Sequence, residues 1–323
     1  MNNGQPEVVI IGGAIVDIPL APVCREVFEA RSWPLERIAM QPGGDALNES
    51  LVLARLDRAP ALVSKLGRDA AGDAIQRALE SAGVDTLWVA REEGLDTGIN
   101  IVLVREDGER SFITNRNGSL RRLGLSDVLP ALESPAFAGA KIACLASLFV
   151  SPALTIADTT ALFDAIRARG LTLCADTTRR KNGETLAEAG GMLSRLDYCV
   201  PTLEEAALLT GLEDPDRVAD ALLECGVRHV ALKLGGEGCL LASREERLRV
   251  PAYPSARCVD TTGAGDTFAA AFIAALLEGR SFRDCGRYAN AAASLCVEHV
   301  GANGGQWTRE DAARRYEELG IGK

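Results

Sequence analysis

Histidine and aromatic side chains are scarce in this chain. Only two histidines, His229 and His299, occur in 323 residues, and neither belongs to an HExxH pattern or to a Cys/His cluster able to close around zinc. Aromatics make up 5%, so the core must be built from Ala, Leu, Val and Ile, the material of helices packed on a parallel sheet rather than of a β-sandwich. The 9 cysteines are odd in number and form no CxxC pair, which excludes a disulfide framework. Walker A and GxGxxG patterns are both missing, so P-loop ATPases and nicotinamide dehydrogenases lose their defining phosphate cradle. With a net charge of −10 and no basic run, nucleic acid and anionic membranes are not expected partners, and any anionic ligand must be held locally. The apolar stretch after Glu7 is broken by Gly12, Gly13 and Asp17, which fits neither a signal peptide nor a membrane span and gives the cytoplasm as the expected location.

What is present is alternation. Short apolar runs at 7–16, 61–66, 141–145, 171–175, 196–200 and 229–234 read as strands, and helical patterns at 69–82, 155–169, 203–210 and 215–225 follow most of them. That order predicts an α/β fold, a mostly parallel sheet flanked by helices, within one domain spanning 1–323. Two segments break the pattern: an isolated strand at 35–41, and a hairpin in which 98–104 and 110–114 are joined through Asp107-Gly108. They predict a small β-sheet lid formed by about 14–20, 35–41 and 97–117, with a decorative edge hairpin as the alternative. Unpaired edges and one apolar face on such a layer predict a homodimer, with 35–39 and 99–104 meeting across a two-fold axis.

The stretch richest in chemistry is Asp260-Thr261-Thr262-Gly263-Ala264-Gly265-Asp266-Thr267-Phe268, followed by a small and apolar run to Leu277. Such a run makes a buried helix. Gly263 and Gly265 let a ligand approach the backbone at its entrance, where free N–H groups and the helix dipole suit an anion. Asp266, in the first turn, can take the proton of an attacking hydroxyl. Alone, Gly-x-Gly-Asp favours the plainer reading over this one, with the glycines making a turn and Asp266 merely capping the helix.

The neighbourhood decides between them. This stretch resembles the C-terminal signature of the ribokinase (PfkB) family of carbohydrate kinases, and Pro42-Gly43-Gly44-Asp45-Ala46-Leu47-Asn48 resembles its substrate-side signature. The resemblance runs from Gly12 to Gly305 and implies a ribokinase-like fold and an ATP- and Mg2+-dependent sugar kinase. Asp266 would be the base, with Gly263, Ala264 and Gly265 as the anion hole and Asp17, Gly43, Gly44 and Asn48 as sugar-binding residues. The loop after strand 229–234, with Lys233, Gly235 and Gly238, together with Thr202 and Asn290, would bind the nucleotide. Glu205 would position magnesium through water, in a motif where Thr202 replaces the family's usual Asn. Asp260, Thr262, Cys296, His299, Gly301 and Gly305 match a loop that holds a monovalent cation such as K+ in the family, with a merely packed loop as the alternative. A nucleoside kinase of the same family and a catalytically silent sugar sensor are the rival readings.

The substrate class is read from charge. Arg116 follows the lid hairpin, and Arg179-Arg180-Lys181 follows a strand whose end faces the crevice. A guanidinium suits a carboxylate better than a neutral hydroxyl, so a sugar acid is the expected acceptor, with solvated arginines as the alternative.

Overall fold

The computed structural model describes residues 5–179 and 183–320. The strands are β1 (Val8–Ile11), β2 (Ile15–Leu20), β3 (Gln41–Gly43), β4 (Pro60–Gly67), β5 (Asp85–Glu92), β6 (Gly98–Val104), β7 (Arg110–Thr114), β8 (Ile142–Leu148), β9 (Thr172–Thr177), β10 (Tyr198–Cys199), β11 (His229–Lys233), β12 (Cys239–Ser243) and β13 (Arg247–Val250). The helices are α1 (Asp45–Arg55), α2 (Ala70–Ser81), α3 (Leu125–Glu133), α4 (Ile156–Ala168), α5 (Leu186–Leu193), α6 (Leu203–Thr210), α7 (Pro215–Glu224), α8 (Ala264–Leu277), α9 (Phe282–Cys296) and α10 (Arg309–Glu318).

Pleating gives the large sheet two buried faces. On β1, Val8 and Ile10 enter one core, with α1, α2, α8 and α9, while Val9 and Ile11 enter the other, with α3 to α7. The sheet order is β13-β12-β11-β10-β9-β8-β1-β4-β5, parallel from β5 to β11 and closed by the antiparallel β12 and β13. The chain leaves β1, third from one edge, first towards β4 and β5, then returns to β8 on its other side. Such a reversal opens a crevice at the C-terminal ends of the strands. Here those ends carry Gly12 and Gly13 after β1, Ser147 in β8 and Asp176 and Thr177 in β9.

A second sheet, in the order β3-β2-β6-β7, shares the walls of that crevice. Its β6–β7 hairpin turns at Gly108, whose φ of 84° favours glycine. The strand expected at 35–41 is displaced: 35–40 is irregular and mostly exposed, and the strand is Gln41–Gly43. Its ladder with β2 ends at Asp17, two residues before Pro19, which has no N–H to offer. Strand β5 and helices α3 and α5 carry no expectation from the sequence; β5 mixes polar with apolar residues and is at least partly exposed along most of its length. Among the described residues no helix is long and apolar enough to cross a membrane.

Candidate active site

Helix α8 begins on a glycine for steric reasons. Gly263 has φ 75° and ψ 2°, and a Cβ there would stand 2.5 Å from Ala302 Cα. The Ala264 N–H already reaches the Thr261 carbonyl at 3.2 Å, a departure from the three-donor anion hole expected. Among the described residues the N–H groups of Gly263 and Gly265 have no recorded protein partner. From Thr267 to Ala275, α8 is buried on every side, and burying each large apolar side chain contributes about 1.5–3 kcal/mol to holding the entrance in place.

Asp266 lies in the first turn, and its Oδ2 accepts a hydrogen bond of 2.7 Å from Asn48 Nδ2 on α1. Asn48 Oδ1 accepts in turn from Asn303 Nδ2 at 2.8 Å, so the Asn48 amide links α1, α8 and the loop after α9. Burial pushes the Asp266 carboxyl up to about 6; the Asn48 hydrogen bond and Lys233 oppose the rise, and Asp176 and Glu205 add to it. Asp45, in the first turn of α1, is pushed further, to about 8, by burial and by the Asp266 and Glu205 carboxylates, against Lys233. Two neighbouring carboxyls with separated ionisation are the pattern of sites that handle a proton near neutral pH.

A cavity of about 680 Å³ runs between the two sheets. Gly13, Gly44, Asp45, Ser147, Arg121 and Glu205 are among its lining residues. Gly44 (φ 93°) bends the chain into α1, and a Cβ there would stand 2.7 Å from the Gly13 carbonyl oxygen. Asp17 lines an adjoining cavity of about 440 Å³, together with Gln41, Asp260 and Gly301, and Arg110 and Phe112 form the wall common to both. Asp17 accepts from Asn100 Nδ2 at 3.1 Å. Burial raises its pKa against that hydrogen bond. Gly43 makes room for this carboxylate, since a Cβ there would stand 2.1 Å from Asp17 Oδ2.

On the far side, Thr202 caps α6. Its hydroxyl donates to Glu205 Oε2 at 2.7 Å and its N–H to the same oxygen at 3.2 Å, and Thr177 Oγ1 adds a third bond at 3.1 Å. The threonine that replaces Asn is therefore half of a capping box that orients Glu205. Lys233 ends β11 and is buried against Asp176, Nζ to Oδ2 2.5 Å. Burial would lower its pKa, but Asp176 and Glu205 outweigh that and raise it. The loop that follows turns on Gly235 (φ 58°) and Gly238 (φ 98°). Asn290 is buried, and its Nδ2 donates at 3.0 Å to the carbonyls of both Val250 and Pro251; it fixes the loop after β13 instead of facing the cavity.

The loop matched to a cation site is held by its own hydrogen bonds, with Asp260, Thr262 and Gly301 on the wall of the 440 Å³ cavity. Asp260 accepts from Thr262 and Gly301, the Cys296 thiol donates to the Thr262 carbonyl at 3.4 Å, and the His299 ring fills the space beside Gly305. Arg116 is exposed and does not line the large cavity. Arg179 pairs with Glu204, and Arg180 and Lys181 lie outside the described residues. The guanidinium missed by sequence reasoning is Arg121, half-buried in the 3-10 turn Ser119–Arg121, with a buried Nε that has no hydrogen-bond partner. Asp45 was also missed, although its place directly after Gly43-Gly44 was a signal. Asn303 gave none, because its partner Asn48 is 255 residues away.

Comparison with known proteins identifies the family and the fold. Residues 5–309 match the pfkB family of carbohydrate kinases. A ribokinase of Arabidopsis thaliana is 30% identical over 92% of this chain and 77% of its own length. A 2-dehydro-3-deoxygluconokinase of Bacillus subtilis is 30% identical over 84% of this chain and 85% of its own. The structure of Arabidopsis thaliana ribokinase complexed with ribose and ATP superposes with a TM-score of 0.80 at 27% identity, covering 97% of this chain and 99% of that one.

Proposed function

The chain belongs to the pfkB family of carbohydrate kinases, and on that premise we propose that it transfers the γ-phosphoryl group of ATP to a hydroxyl of a monosaccharide or sugar acid, with Asp266 as general base. The observation that carries this reading is the Asn48–Asp266 contact of 2.7 Å beside the glycine entrance of α8. An acceptor hydroxyl hydrogen-bonded to Asp266 gives up its proton to that carboxylate as it attacks, and a group pushed up to about 6 is both ionised and basic at neutral pH. Charge moving through the phosphoryl group meets the N–H groups of Gly263 and Gly265 and the positive end of the α8 dipole. Asp17, Gly44 and Asn48 hold the other hydroxyls.

Lys233, Thr202 and the loop of Gly235 and Gly238 form the nucleotide side. Magnesium, bound with ATP, neutralises phosphate charge. Glu205 is the carboxylate that would hold it through water: the hydrogen bonds it accepts all fall on Oε2, which leaves Oε1 to the cavity.

A sugar acid is favoured over a neutral sugar by Arg121. It has no ion-pair partner among the described residues, and an unpaired guanidinium on a cavity wall suits a carboxylate. The likeness to both a ribokinase and a 2-dehydro-3-deoxygluconokinase keeps both acceptor types under test. ADP release measured over neutral sugars, sugar acids and nucleosides tests the whole reading. Turnover of sugars supports it; turnover of nucleosides alone, or binding without turnover, replaces it with a nucleoside kinase or a silent sensor.

A further inference from the structure

The loop matched to a monovalent-cation site already contains a positive charge of its own. Asp260 Oδ1 accepts from the Thr262 N–H at 2.9 Å and from the Thr262 hydroxyl at 2.6 Å, and Oδ2 accepts from the Gly301 N–H at 2.8 Å. A further donor on Oδ1 is the guanidinium of Arg110, which reaches across from β7 of the small sheet. The pair is shielded, with side-chain exposures of 29% for Arg110 and 12% for Asp260. The Thr262 carbonyl is engaged by the Cys296 thiol. A metal cation needs oxygens that face it free of other donors, and a guanidinium in contact with the same carboxylate repels a second cation. These residues do not fit K+.

We propose that Arg110 takes the place of the monovalent cation. Asp260 ties Thr262 to Gly301, and Thr262 leads directly into Gly263 and Gly265, whose N–H groups form the anion hole. By neutralising Asp260, Arg110 sets that turn, and it does so as a positioning residue, without touching the phosphoryl group. Since Arg110 is carried on the β6–β7 hairpin, the position of the hairpin and the shape of the anion hole are coupled.

The test has a kinetic arm, which rests on the kinase reading, and a melting arm that needs no turnover. Turnover is measured in KCl, NaCl and choline chloride at equal ionic strength. Wild-type kcat should differ by less than about two-fold among them, whereas Arg110→Gln should lose about ten-fold or more in choline and recover most of it in KCl or in tens of millimolar guanidinium. Arg110→Lys should keep kcat within about three-fold of wild type, because it restores the charge. In the melting arm K+ should raise the Tm of Arg110→Gln relative to choline and leave that of wild type unchanged. If no acceptor is turned over while this Tm difference is present, the kinase reading fails and the cation proposal stands. Strong K+ activation of wild type overturns the proposal even where Arg110→Gln does not fold. So does an unchanged kcat in Arg110→Gln, or a loss that neither K+ nor guanidinium repairs.

Discussion

Asn48 and Asp266 are 218 positions apart in the chain and 2.7 Å apart in space, amide nitrogen to carboxylate oxygen. The bond fixes where the carboxylate points, and it opposes the rise in pKa that burial imposes on Asp266.

Replacing Asp266 by Asn keeps the volume and the anion hole but removes the proton acceptor. We expect kcat to fall by about 10²–10⁴-fold, with ATP and sugar dissociation constants little changed. Turnover close to wild type, measured with sugar binding by calorimetry, would show that the base lies elsewhere.

The pH profile follows from two displaced carboxyls. Asp266 must be ionised to act, so kcat/KM should fall as pH drops through about 6. Asp45 ionises near 8 and then places a second negative charge beside the transferred phosphoryl group, so activity should fall again above that pH. Asp45→Asn should abolish the alkaline fall and leave the acid limb in place, because Asp45 is already neutral at pH 6. Both folded pKa values exceed the ordinary 3.8, so at these two sites the folded state binds more protons, and the stability these two groups contribute is greatest below 3.8 and is lost as pH rises through about 6 and then 8. Melting curves of Asp45→Asn should therefore decline less between pH 4 and 8 than those of wild type; an equal decline would contradict the assignment.

Lys233 and Asp176 form a buried ion pair at 2.5 Å. Lys233→Met leaves Asp176 buried without its counter-ion, and urea unfolding should register a loss of about 3–5 kcal/mol. Changing both, Lys233→Met with Asp176→Leu, should restore most of it, since a well-packed apolar pair has no charge to desolvate. A double variant no more stable than the single one would mean that Asp176 is not the main partner.

Large exposed apolar side chains lie on and beside the small sheet, away from the cavity wall that Phe112 forms: Phe28, Trp33, Ile38, Met40 and Ile113 are at least 37% exposed. We propose that this face is covered by a second copy of the chain, in keeping with the unpaired edge of β7. Light scattering should give a dimer for wild type and a monomer for Ile113→Asp; a monomeric wild type at assay concentration would end the idea.

The sequence was most legible where local rules suffice. The short apolar runs at 61–66 and 229–234, the Asp-Gly hairpin turn and the glycine entrance to α8 depend on neighbouring residues, and each lies where local pattern places it. Leu35–Gln41 misled because a short stretch carrying Leu35, Ile38 and Met40 resembles a strand whether or not a partner strand exists to pair with. The contacts that build the site were invisible for the opposite reason. Asn48 with Asn303, and Arg110 with Asp260, join segments 255 and 150 residues apart, and no local pattern announces which polar groups a fold will bring together. Arg116 was chosen for its place after the hairpin, and only the fold distinguishes it from Arg121, five residues on.

Arg121 decides the last expectation. Its Nε is buried without a hydrogen-bond partner, a costly arrangement that a ligand carboxylate would relieve. The other arginines on the cavity wall are committed, Arg110 to Asp260 and Arg179 to Glu204. If the acceptor carries an acidic end, Arg121→Gln should raise KM for sugar acids by an amount equivalent to about 1.5–3 kcal/mol, the range for a hydrogen bond to a charged group, and leave kcat nearly unchanged, because this contact is the same in the ground and transition states. Neutral sugars of equal length should be handled alike by wild type and variant. Arg116→Leu serves as the control, since an exposed arginine outside the lining should alter neither set. A wild-type enzyme that prefers neutral sugars, or an Arg121→Gln variant that loses both sets equally, would leave the guanidinium with a structural part only and return the search to plain ketoses and aldoses.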